Sequence, residues 1–211
     1  IESEQHQMHS SLAVLPDGQL LGMLDQHFFQ KVKPPRNETR KQRAARWRES
    51  DVWQEAVERI EPPVSPCRLI HVADRGSDNL RFMHACVKRR VGFVVRAKSD
   101  RRVEEATSKL WTYLGARTIA GETTAWIGTQ RNGLGRIVRR GREARLAVRF
   151  ASVQLDQPWN CHETHDGPLR VNAVYLTELD TPPDVEPIDW MLLTSESVKN
   201  FEEAMTVIGY Y

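Results

Sequence analysis

Cysteine is scarce in this chain: Cys67, Cys86 and Cys161 are three among 211 residues, and no two form a Cys-x-x-Cys pair. An odd set argues against a disulfide scaffold and against a four-cysteine zinc site, and it suits a reducing compartment. Long apolar runs are lacking as well. No stretch approaches the ~20 residues of a membrane-spanning helix, and no signal peptide opens the chain. Net charge is nearly absent, since 30 Lys and Arg against 28 Asp and Glu leave only +2, so total charge names no partner. What is present is a globular balance, 40% hydrophobic and 27% charged, enough for a sizeable core in one domain or in one domain with an insertion. Ile1 at the start, and Gly209-Tyr210-Tyr211 closing inside a helical pattern, read as a chain cut at both ends.

The distribution of charge says more than its sum. Lys31, Lys33, Arg36, Arg40, Lys41, Arg43, Arg46 and Arg48 crowd one segment, against Glu38 and Glu49. Lys88, Arg89, Arg90, Arg96, Lys98, Arg101 and Arg102 crowd a second, against Asp100. Arg131, Arg136, Arg139, Arg140, Arg142, Arg145 and Arg149 form a third, against Glu143. Acids gather instead between 156 and 189, where Arg170 is the one Lys or Arg among them. Clustered cations gain from counterion release on a phosphate backbone, and the preference for Arg suits bidentate pairing with phosphate. The alternative is that each run is a solvated face of a helix or hairpin.

Periodicity outlines the elements. Leu12 to Leu15, a Pro16-Asp17-Gly18 turn and Gln19 to Leu24 read as a hairpin, followed by a charged linker. Trp53, Ala56, Val57 and Ile60 share one helical face, and Pro62, Pro63 and Pro66 end that helix. Leu69 to Ala73 reads as a strand buried on both faces and ending on Asp74. Ser77 or Asp78 can cap a helix whose inner face would be Leu80, Met83, His84 and Val87, and Gly92 to Ala97 is a second buried strand. Together these make a βαβ unit with Asp74 at the carboxyl end of its first strand, where α/β sheets place their sites. Past residue 116 the period changes from 3.6 to 2, with strands at 145–150, 169–175 and 190–194, as expected of an antiparallel β insertion. Asn200 and Glu203 have the N-cap and N3 spacing of a final helix, with Phe201, Ala204, Met205 and Ile208 on one face. Cys161-His162-Glu163-Thr164-His165 has the residue types of a metal cluster but no second pair nearby, and reads as an exposed loop.

An Asp closing a buried strand serves as readily to cap a loop as to hold a metal. The string Asp74-Arg75-Gly76-Ser77-Asp78 is more specific. It resembles the Asp-Arg-Glu-Ala-Asp motif of DDE transposases of the insertion-sequence-four group, the family that includes the transposon-five enzyme; Gly76 and Ser77 depart from it. The likeness extends along the chain. Arg48-Glu49-Ser50 with Trp53 is similar to that family's Lys-Glu-Ser and Trp, with Arg48 replacing Lys. Phe93-Val94-Val95-Arg96-Ala97-Lys98 is similar to its Phe-Val-Val-Arg-Ser-Lys strand. Trp190-Met191-Leu192-Leu193-Thr194-Ser195-Glu196 is similar to its Trp-Leu-Leu-Leu-Thr-Ser-Glu strand, and Val207-Ile208-Gly209-Tyr210-Tyr211 to the start of its Tyr, Arg, Glu, Lys helix.

The resemblance implies an α/β, ribonuclease-H-like catalytic core with its first strand missing. That core would occupy residues 1–115 with the second aspartate, the inserted antiparallel β subdomain 116–197, and the start of the helix leading to the third carboxylate 198–211. It implies cleavage and strand transfer at transposon ends, with Mg²⁺ or Mn²⁺ held by three carboxylates during in-line attack on a phosphodiester. Asp74 would be the second of the three. The first would lie ahead of the Leu12 hairpin and the third past Tyr211, so the fragment alone would not cut DNA. Arg75, Arg96 and Lys98 would face the substrate backbone, with plain surface charge as the alternative. Trp190 would stack on a flipped base, worth ~1–3 kcal/mol, and Tyr211 would grip an end phosphate; for both, core packing is the alternative. A homodimer on paired transposon-end DNA, a bacterial cytoplasm and no membrane partner follow from the same likeness. The competing functional reading is a non-catalytic nucleic-acid-binding remnant or regulatory truncation. A weaker third is a ribonuclease-H-like structural domain without a DNA role.

Overall fold

The computed structural model describes residues 6–30, 33–156 and 167–211. Strands β1 (His6–Val14) and β2 (Leu20–Gln30) form a hairpin, closed by Pro16-Asp17-Gly18 with Gly18 at φ +88°, a left-handed position that glycine adopts without strain. The charged linker holds a short helix, α1 (Arg40–Ala45), started by a capping box between Thr39 and Gln42. Next come α2 (Asp51–Arg59), β3 (Ile70–Ala73), α3 (Leu80–Lys88), β4 (Gly92–Arg96) and α4 (Leu110–Gly115). Strands β5 (Gly121–Ile127), β6 (Gln130–Arg131), β7 (Ile137–Arg139), β8 (Arg142–Leu155), β9 (Leu169–Glu178) and β10 (Asp189–Thr194) precede α5 (Phe201–Tyr210).

Six strands make one mixed sheet in the order β3-β4-β10-β9-β8-β5. The β3–β4 pair is parallel, joined through α3, and every other pair is antiparallel. The chain is thus mixed α/β. Within residues 116–197, read in sequence as an inserted β segment, β5, β8, β9 and β10 continue the sheet of β3 and β4 because β10 pairs directly with β4, while β6 and β7 form a separate two-stranded sheet.

Alternation along the central strands builds two cores. Phe93, Val95, Met191, Leu193, Ala173 and Val171 point to one face, where α2, α3 and α4 supply Val57, Phe82, Met83, Cys86, Leu110 and Leu114. Val94, Leu192, Val174, Leu176, Leu146 and Val148 point to the other, where α5 supplies Ala204 and Val207. With helices on both sides, β4 and β10 are apolar on both faces, which explains their unbroken apolar runs. Asn200 caps α5 by accepting from the Glu203 amide at 2.8 Å, as its spacing predicts. The Glu203 carboxylate in turn accepts from the Lys199 amide (2.9 Å) and Ser197 Oγ (3.0 Å), which holds its carboxyl below the usual range.

Two expectations need correcting. Strand β3 is not buried on both faces: it is the edge of the sheet, and Val72 is 45% exposed. The cap of α3 is neither Ser77 nor Asp78 but Asn79, whose Oδ1 accepts from the Phe82 amide at 2.8 Å. Packing in the core shared with α2 and β4 turns Phe82, Met83, Ala85 and Cys86 inward, while Val87 is 48% exposed.

The hairpin stands apart as a two-stranded sheet. Arg59 of α2 forks onto both Asp25 oxygens (3.0 and 2.8 Å), and His9 meets Trp53 edge-on at 4.6 Å. Between β1 and the β3 edge lies a groove of about 290 Å³ floored by Trp53, Ala56 and Phe82. His71 Nε2 and His9 Nδ1 are buried there without a hydrogen-bond partner among the described residues. Burial pushes the His71 pKa down to about 4, from 6.5. The folded state therefore keeps a neutral ring that the unfolded chain protonates first. Its contribution is undiminished above pH 6.5 and is lost as pH falls from 6.5 toward 4, by at most about 3 kcal/mol. Urea unfolding at pH 7 and pH 4.5 should show that loss, and His71→Leu should flatten it; equal pH slopes in both proteins would contradict the assignment.

Candidate functional site

Where β3 ends, the chain needs a sharp exit, and Asp74 provides it. Its Oδ1 accepts from the Gly76 amide at 2.8 Å, and its carbonyl accepts from Ser77 N at 3.2 Å and Ser77 Oγ at 2.8 Å. These bonds wind Arg75–Ser77 into one tight turn. A Cβ on Gly76 would sit 3.0 Å from Asp74 Oδ1 and 3.4 Å from the Trp53 ring, so the missing side chain lets the carboxylate fold back beneath Trp53. Asp74 is exposed, and its second oxygen has no protein donor among the described residues. The loop-capping role is therefore real, and it leaves half the carboxylate available.

Asp78, four residues on, is consumed structurally. Its carboxylate is 1% exposed and accepts from Arg101 Nη1 (2.8 Å), Lys98 N (2.7 Å) and Ser99 N (2.9 Å). It fixes the exit of β4 to the exit of β3, and so holds Lys98 beside Asp74.

The pairing of β4 with β10 does the rest. Leu192 lies opposite Arg96, so Trp190, two residues earlier, projects from the same face. The Arg96 guanidinium sits 4.8 Å over the indole, a cation–π contact. Tyr211, following α5, meets the same indole edge-on at 5.8 Å. Arg96 Nε is buried without a hydrogen-bond partner among the described residues.

Asp74, Arg75, Arg96, Lys98, Trp190 and Tyr211, the six residues singled out in the sequence, line one open cleft of about 620 Å³. Trp111, Gln130, Arg139, Glu186 and Asp189 line it too. None of these five belongs to a block of family likeness or carries a local signature, apart from Arg139, which lies within a basic run. Asp189 is committed: it accepts from Trp111 Nε1 at 2.9 Å. Burial first, and the Asp189 carboxylate second, raise the Tyr175 hydroxyl pKa. Among the described residues no three His, Cys, Asp or Glu side chains gather as a metal site, so Asp74 by itself does not make one. Cys161, His162 and His165 lie outside the described residues.

The blocks of family likeness also carry structural duties. Thr194 Oγ1 donates to the Phe93 carbonyl (2.7 Å), Ser195 Oγ accepts from the Phe93 amide (3.0 Å), and Glu196 takes a fork from Arg68 (3.0 and 2.9 Å). Ser50 offers its carbonyl to the Asn79 side chain at 3.2 Å. No protein-family model matches the chain.

Replacing Asp78 by Ala would strand the mostly buried Arg101 guanidinium and two loop amides. Breaking such a pair costs about 3 kcal/mol, to be read as a lowered midpoint in urea unfolding. A loss under about 1 kcal/mol, the level of an exposed pair, would contradict the role given to Asp78.

Proposed function

We propose that the chain is the central part of a DDE-type DNA transposase with a ribonuclease-H-like core, and that its cleft takes the backbone of transposon-end DNA. The observation that carries this reading is the convergence of Asp74, Arg96, Lys98, Trp190 and Tyr211, drawn from four separate blocks of family likeness, on a single cleft. The parallel β3–α3–β4 unit, with Asp74 at the end of β3, supports the fold assignment. Arg75, Arg96 and Lys98 pair with phosphates, a base stacks on the part of the Trp190 indole that reaches the cleft, and Tyr211 orients the strand end. Asp74 contributes its free oxygen to a divalent cation, Mg²⁺ or Mn²⁺, completed by carboxylates beyond those that the described residues bring together. A divalent cation at such a site would activate the attacking oxygen and neutralise the leaving one.

The second reading, a non-catalytic nucleic-acid-binding remnant or regulatory truncation, would place the same DNA contacts in this cleft. The same binding experiment serves both readings. Duplex affinity should fall steeply with salt, and the Arg96→Ala, Lys98→Ala double variant should bind about tenfold more weakly, with a log–log salt slope shallower by about two. Duplex binding that is absent at low salt, or unchanged in the variant with its circular dichroism intact, would overturn the assignment of this cleft.

A further inference from the structure

The third basic segment splits in two when folded. Arg142, Arg145 and Arg149, on β8, are tied to the body of the protein: Arg142 forks onto Glu178 (3.2 and 2.6 Å), Arg145 faces Glu122 and Asp180, and Arg149 donates to Arg117 O and Thr177 Oγ1. Arg131, Arg136, Arg139 and Arg140 lie on the β6–β7 hairpin instead. No acidic residue occurs between 123 and 142, and among the described residues none of these four arginines forms an ion pair.

Among the described residues this hairpin pairs with no other strand. Its tip is built to hold its shape without a core. Asn132 Oδ1 accepts from Leu134 N and Arg136 N at 3.0 Å each, Arg131 Nη1 donates to the Gly135 carbonyl at 2.9 Å, and Gly135 takes φ +76°. At that tip Leu134 is 81% exposed. At the base, Gln130 and Arg139 pair across the strands, and both line the cleft. Arg139 Nε is buried there without a hydrogen-bond partner among the described residues.

We propose that the β6–β7 hairpin is a duplex-DNA finger: Arg139 at its base joins the phosphate contacts of the cleft, while Arg140 beside the base and Arg136 near the tip grip the backbone and Leu134 meets base edges in the major groove. A two-stranded ribbon fits that groove, which is ~12 Å wide. The three extended residues of β7 span ~10 Å, about three base-pair steps at ~3.4 Å. A preformed, acid-free ribbon with an apolar tip is of little use to the protein's own stability. It matches a surface that presents two rows of phosphate flanking a floor of bases and thymine methyls. This inference rests on the DNA reading of the cleft, and its test separates the two.

The experiment titrates the full chain with a duplex of about 30 base pairs across a salt series. It compares the wild type with Arg136→Ala, Arg140→Ala, with the charge-keeping Arg136→Lys, Arg140→Lys, and with Arg96→Ala, Lys98→Ala. The alanine hairpin variant should bind about tenfold more weakly, with a salt slope shallower by about two, since each phosphate contact contributes ~0.9. The lysine variant should keep the wild-type slope. An alanine hairpin variant with unchanged affinity and slope, while the cleft variant is weakened, overturns the finger and leaves the cleft standing. Absence of duplex binding by the wild type overturns both.

Discussion

The antiparallel pairing of β10 with β4 is the constraint on which the site depends. β4 already pairs in parallel with β3, so one strand receives Asp74 from one neighbour and the Trp190 indole from the other. Opposite placement of Leu192 and Arg96 puts Trp190 under the Arg96 guanidinium, and the packing of α5 on the same sheet brings Tyr211 to the indole edge. The pairing is itself secured off the ladder by Thr194 and Ser195, which bond the Phe93 carbonyl and amide, so residues with no role in chemistry hold the register that the cleft requires. Lys98 depends on the same arrangement through Asp78, which ties the exits of β3 and β4 together.

Cations that look alike in the sequence are divided by the fold into two populations. Arg43 and Arg46 share the nearly buried Glu38, Arg101 is locked to Asp78, and Arg142 to Glu178. These lower the cost of burying carboxylates, and Arg101 and Arg142, largely buried in their pairs, are unavailable to an anion. Arg96 and Lys98 in the cleft, and Arg131, Arg136, Arg139 and Arg140 on the β6–β7 hairpin, are in no ion pair among the described residues. The cleft itself is not uniformly basic: Asp74, Glu186 and Asp189 line it with Arg75, Arg96, Lys98 and Arg139. Under the proposed DNA reading, a phosphate path would be set by where the guanidinium groups point, and the net charge of +2 would carry none of it.

Local signals were legible in the sequence wherever a short-range pattern decides the structure. The β3–α3–β4 unit, the Pro16-Asp17-Gly18 turn and the Asn200 cap all depend on neighbours within a few residues. The α3 cap was misread because Asp74, Ser77, Asp78 and Asn79 can each cap in isolation. Only the long-range bonds from Asp78 to Lys98, Ser99 and Arg101 leave that task to Asn79. The exposure of Val72 was invisible for a similar reason, since Leu69 to Ala73 has the apolar run of a central strand whether or not it stands at an edge. Among the site residues, Asp74 and Trp190 announced themselves through motif likeness, whereas Arg139, Gln130 and Trp111 reach the cleft by packing across more than thirty residues of chain. No spacing rule encodes that.

The most direct measurement is amide hydrogen exchange of the full chain with and without a saturating duplex. If the β4–β10 pairing builds a DNA-binding cleft, protection should rise at 96–99, 130–140 and 189–191, with 33–48 unchanged because no described residue of that segment lines the cleft. New protection confined to 33–48, with the cleft segments exchanging as in the free protein, would contradict it.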